Sequence, residues 1–104
     1  MSQAGNDTEI VTAEGRKLSY REMNPGEILD FLLACGSEGA RNEAYLNAAQ
    51  AWCSVRAIDG IPVPFPSSRN GIRDLVNQIG ADGIDAIERH LQVDDEDQVH
   101  DIKN

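Results

Sequence analysis

The chain has 104 residues, enough for one domain with a single hydrophobic core and too few for two of ordinary size. Hydrophobic residues make up 40% of it and aromatic residues only 5%, so the core must rest on Ile, Leu, Val and Ala beside Tyr20, Phe31, Tyr45, Trp52 and Phe65. With 18 acidic against 9 basic residues the net charge is −9, which argues against nucleic acid and anionic membranes as partners.

The charge is uneven along the chain. Residues 1–9 carry −2 through Asp7 and Glu9, and residues 94–104 carry −4 through five acids set against Lys103, which leaves −3 for the whole middle. The acidity therefore speaks for solubility rather than for a charged binding face. Cys35 and Cys53 each sit in an apolar helical pattern and read as buried, reduced thiols, not as a disulfide framework. No charged-then-apolar leader opens the chain. Its longest strongly apolar run, 28–35, is broken by Asp30 and falls far short of a membrane span of ~20 residues. A cytoplasmic location is expected.

Residues 1–8 are small and polar and read as a disordered N-terminus; 9–92 read as one globular domain and 93–104 as an acidic flexible tail. Residues 9–23 predict a β-hairpin: Ile10-Val11-Thr12 is β-prone, Glu14-Gly15 supplies a tight turn with Gly15 at positive φ, and Leu18 and Tyr20 share one face. Asn24-Pro25-Gly26-Glu27 is a helix start, with a capping Asn, a Pro at the first position and a Glu placed for a capping box. The helix is expected to run to Cys35, with Ile28, Leu29, Leu32 and Leu33 as its apolar face, Phe31 flanking it and Gly36 as its stop.

A second helix is predicted over 40–58, with one stripe through Ala44, Ala48, Ala51, Val55 and Ile58 and a neighbouring one through Tyr45, Ala49 and Trp52; Asp59-Gly60 ends it. Proline at every second position of 61–66 forbids helix and blocks a central strand, so this segment is expected as an extended crossover near polyproline II. Val63 and Phe65 are expected to pin it to the core, or else it offers a preformed edge to a partner protein. Ser67 or Ser68 caps a third helix over 69–79 that Gly80 ends, and Asp82 caps a fourth over 83–92. The predicted fold is thus an α-dominant α+β domain: an N-terminal β-hairpin followed by about four helices with a proline-rich crossover.

The sequence carries no pattern that chemistry would require. His90 and His100 have no cysteine spacing around them for zinc. Asp94 to Asp97 lack the alternating ligands, central glycine and distal glutamate of a calcium loop. No nucleophile motif or phosphate-binding loop is present, and Asp82 and Asp85 suit a helix N-terminus better than acid–base work. No enzyme, metal or cofactor is implied, and a protein-binding role is expected. An enzyme would need an unrecognised pocket, for instance around Trp52, Cys53 and Arg56. For partner binding or self-association the sequence offers Tyr20 on the hairpin and Ile61, Val63 and Phe65 on the proline-rich strip.

Three features stand together: the hairpin Ala13-Glu14-Gly15-Arg16-Lys17-Leu18 leading into Tyr20-Arg21-Glu22-Met23 and a helix, the stretch Val55-Arg56-Ala57-Ile58-Asp59-Gly60-Ile61-Pro62-Val63-Pro64-Phe65-Pro66, and a closing helical pair. Over 9–92 this resembles the tail assembly chaperones of long-tailed bacteriophages, with 55–66 as its distinctive part. The resemblance implies a non-enzymatic protein of the infected cell's cytoplasm that binds the long, helical tape measure protein. It keeps that protein soluble until tail tube protein polymerises around it, and tends to form homo-oligomers. It also implies, in many members, a frameshifted longer form. The alternative is a small acidic phage-encoded inhibitor of a bacterial defence system acting by protein binding, although a folded middle of only −3 disfavours mimicry of nucleic acid.

Overall fold

The computed structural model describes residues 7–103, with side chains described for 7–92. Its strands are β1 (Thr8–Val11), β2 (Lys17–Tyr20), β3 (Val55–Ile58) and β4 (Ile61–Pro62), and its helices are α1 (Pro25–Ala40), α2 (Glu43–Trp52) and α3 (Arg69–Lys103). The strands form one antiparallel sheet in the order β1-β2-β3-β4, which corrects the expected hairpin-plus-four-helices architecture to a four-stranded sheet with three helices. Residues 1–6 of the expected disordered start lie outside the described residues. So do the side chains of the expected acidic tail, along whose backbone α3 continues to Lys103.

The first hairpin forms where its turn residues place it. Gly15 N–H donates to Thr12 O at 2.9 Å and Gly15 takes φ 91, so the loop closes as a turn followed by a left-handed glycine. Leu18 and Tyr20 face the helices, and Leu18 is fully buried.

The largest departure from expectation lies at 40–66. The second helix stops at Trp52 instead of Ile58, and 55–58 leave it to become β3, paired with β2 through Leu18↔Ile58, Ser19↔Ala57 and Tyr20↔Val55. Asp59 (φ 51) and Gly60 (φ 82) are the two central residues of a mirror-image turn that joins β3 to β4. The proline-rich strip therefore begins as a paired edge strand, with Ala57↔Pro62 and Ile58↔Ile61 in register, and not as a free-standing crossover. Proline is tolerated there because the strand is at the sheet edge and needs no donor on its outer side. Asp59 also ties the hairpin to β2: its N–H donates to Lys17 O at 2.7 Å and its Oδ1 accepts from Lys17 N–H at 2.9 Å.

α1 begins with the full capping box: Asn24 Oδ1 accepts from Glu27 N–H at 2.8 Å and Glu27 Oε1 accepts from Asn24 N–H at 3.0 Å. Arg21 clamps the same Glu27 with two hydrogen bonds of 3.3 and 3.0 Å, and this contact holds the Glu27 carboxyl below its ordinary range. Gly36 (φ 76) interrupts α1 where a stop was expected, and one further turn runs to Ala40. Asn42 caps α2 by accepting from Tyr45 N–H at 3.0 Å, and Ser68 caps α3. α3 spans the two helices expected over 69–79 and 83–92, and Gly80 leaves helical geometry (φ 69, ψ 174) at the point where the first was expected to end. Arg16 sits there, donating to Gln78 O at 3.0 Å and to Ile79 O, with Asp82 Oδ2 3.6 Å from its Nε.

The helices pack on one face of the sheet around a single core. Ile10, Leu18 and Val55 supply the sheet side, Phe31 and Cys35 come from α1, and Ile72, Leu75, Ile79 and Ile87 come from α3. Gly83 lets α3 lie close to the sheet: a Cβ there would meet Ile79 Cγ2 at 2.5 Å and Leu18 Cδ1 at 3.5 Å.

Candidate functional site

α1 carries more apolar surface than the core uses. The faces that point inward are those of Phe31, Ala34 and Cys35. At 100° per residue the opposite side of the helix falls on Leu29 and Leu33. These are 66% and 82% exposed, one turn apart, and half-buried Ile28 and Leu32 join them to the core side. The stripe that periodicity marked as the core face is thus largely the outer face. Phe31, assigned to its flank, is the residue that is fully buried. The exposed leucine pair is continuous with these half-buried neighbours and forms an apolar strip that the core does not use.

A second concave surface lies between α2 and the first part of α3. It is a groove of about 590 Å³. From α2 it takes Tyr45, Ala48, Ala49 and Trp52, which share one face at helical spacing. From α3 it takes Ile72 and Val76 on the apolar side and Arg69 and Arg73 on the rim, where Glu38 of α1 also lines it, 3.6 Å from Arg69. Ala49 and Ile72 are buried and form the floor. Burial pushes the Tyr45 hydroxyl up, and the Arg69 and Arg73 guanidiniums oppose that in part. The Trp52 end is fixed by the indole, whose Nε1–H donates to Glu88 Oε2 at 2.9 Å.

Comparison with protein-family models, curated proteins and solved structures returned no match.

The residues singled out from the sequence do not form one surface. Tyr20 is buried beneath the helices, edge-on to His90 with ring centroids 5.9 Å apart. Ile61 is 69% exposed at the end of the row Ile10–Leu18–Ile58–Ile61 that crosses the sheet from β1 to β4. Val63 and Phe65 are half-buried against the core, and the Arg56 guanidinium stacks on the Phe65 ring, 5.0 Å from its centroid.

The trio Trp52, Cys53 and Arg56 is split. Trp52 faces the groove, whereas Cys53 is fully buried and its thiol is pushed up to about 12 by that burial. Arg56 donates to Cys53 O at 2.6 Å, and the pull of its charge on the thiol is outweighed by burial. Among the described residues no group of three or more His, Cys, Asp or Glu is placed to hold a metal ion, and no helix is long and apolar enough to cross a membrane.

What reasoning from sequence missed is the outward face of Leu29 and Leu33 and the groove between α2 and α3. The first was legible in the composition of α1, which is apolar around more than half its circumference. The second needed the pairing of α2 with α3.

Proposed function

We propose that this protein is a non-enzymatic tail assembly chaperone that binds the tape measure protein in the cytoplasm of the infected bacterium and keeps it soluble until tail tube protein replaces it. The observation that carries the reading is the leucine strip on α1. A chaperone for a long amphipathic helix needs apolar surface that remains outside its own core, and Leu29 and Leu33 supply it on a rigid, well-capped element. A net charge of −9 keeps such a surface from driving precipitation.

The reading is tested by co-expression with the tape measure protein of the same phage. Wild-type protein is expected to co-purify with it and raise its soluble fraction. The double variant Leu29→Gln/Leu33→Gln is expected to fold normally by circular dichroism and to lose the complex. Absence of a complex with wild-type protein would overturn the proposal. Full retention by the double variant would remove α1 as its binding surface.

A further inference from the structure

The groove between α2 and α3 is the place on the described surface where aromatic side chains, small-residue floor and unspent positive charge meet. Tyr45, Ala48, Ala49 and Trp52 run for two turns of α2, so the groove presents a straight apolar channel about 10 Å long. Ala49 on the floor and half-buried Ala48 beside it admit another backbone closely, and Tyr45 and Trp52 are broad walls of the kind that anchor interfaces. Arg73 is exposed and has no hydrogen-bond or ion-pair partner among the described residues. Arg69 has one, Glu38 at 3.6 Å, but its side chain and that of Glu38 are 58% and 81% exposed. A pair that open to solvent is held weakly and is exchangeable for an incoming carboxylate.

We propose that this groove binds an amphipathic helical segment of a partner protein, apolar along one stripe and acidic at the margin that lies against Arg69 and Arg73. The local charge decides the occupant. Two guanidiniums stand at that margin against the single carboxylate of Glu38, whose pair with Arg69 is exposed and exchangeable, so the margin favours acid in the occupant. Arginine's planar fork suits a carboxylate held bidentately, which fixes the register of the helix along the channel. The inference rests on reading the protein as a binder of helices, and it adds a surface and a partner chemistry separate from the leucine strip of α1.

The test sets bulk charge against local charge. Two synthetic helical peptides share one leucine stripe, and one carries glutamates and the other lysines along the margin. Binding to the full chain is followed by the emission of Trp52, the single tryptophan and a wall of the groove. The glutamate peptide is expected to bind at least about tenfold more tightly than the lysine peptide. The exposed double variant Arg69→Glu/Arg73→Glu is expected to reverse the order. Equal binding, tighter binding of the lysine peptide to wild-type protein, or no change in Trp52 emission with either peptide would overturn the proposal. The Leu29→Gln/Leu33→Gln protein is expected to keep the glutamate preference unchanged, and loss of that preference would assign the peptide to α1 and overturn the groove. Failure of the groove leaves the co-purification result on α1 standing, and the reverse is equally true.

Discussion

Arg16 shows how much one side chain holds together. Gly80 breaks the hydrogen-bond ladder of α3, and the carbonyls just before a break have no amide to receive. Arg16, projecting from the end of the first hairpin, takes the carbonyls of Gln78 and Ile79 and faces Asp82 across the break. It is the helix C-terminal cation that the macrodipole favours, supplied from a distant part of the chain. Removing it leaves two carbonyls short of a partner and a carboxylate with no counter-charge, in a region where Arg16 and Asp82 are only 27% and 14% exposed. Arg16→Met is therefore expected to lower the unfolding free energy by about 2 kcal/mol, the scale of hydrogen bonds to a charged group. Urea denaturation checks it. Arg16→Lys should recover only part of the loss, because one ammonium cannot reach both carbonyls with the same fork. A loss below about 0.5 kcal/mol for Arg16→Met would mean that water serves those carbonyls as well as the guanidinium does.

At the scale of elements, the starts of α1 and α3 were legible because the residues that mark them act locally, whereas the Asn42 cap placed the start of α2 three residues later than expected. Asn24 and Glu27 satisfy each other's amides at the start of α1, Pro25 removes one that would need a partner, and Ser68 accepts from Gly71 N–H at the start of α3. The stretch 53–62 was misread because two local rules compete there. Val55 and Ile58 continue the apolar stripe of α2, which argues for helix, yet Asp59-Gly60 between apolar residues is also the pair that a two-residue hairpin needs. The sheet decides it: β2 has an open edge, and Val55 gains full burial by pairing with Tyr20. Asp59 should then matter more than a turn residue exposed to solvent normally does. It holds positive φ and anchors β3–β4 to Lys17 at two points. Asp59→Ala is expected to cost about 1–2 kcal/mol through strain at φ 51 and loss of the side-chain acceptor. Asp59→Asn should keep most of the stability, since the amide oxygen still accepts and Asn tolerates that φ. If both substitutions proved equally costly in thermal unfolding, charge and not turn geometry would be the source.

For the whole molecule, the sheet and all three helices feed one core, with Leu18, Phe31, Val55, Ile79 and Ile87 fully buried in it. The inward face of α1 was the least legible part of the design. Its most regular apolar stripe runs through Leu29 and Leu33, but a helix apolar on most sides can turn any of them inward. The choice falls to Phe31 and Cys35, the side chains that fit the space left by α2 and α3. A core shared in this way leaves no element able to bury its apolar face alone, so unfolding should be two-state. Far-ultraviolet circular dichroism reports the helices, and Trp52 emission reports the α2–α3 contact through Glu88 and the groove. The two urea transitions are expected to share one midpoint and one slope of ~1 kcal/mol/M, the low end for a small domain. Separate midpoints would make the α2–α3 unit independent of the sheet. The same experiment on Leu29→Gln/Leu33→Gln separates core from docking surface. Two leucines that belonged to the core would together cost several kcal/mol, whereas two that lie outside it should move the unfolding free energy by no more than about 1 kcal/mol. Small loss of stability together with complete loss of partner binding is the signature of apolar surface kept for another protein.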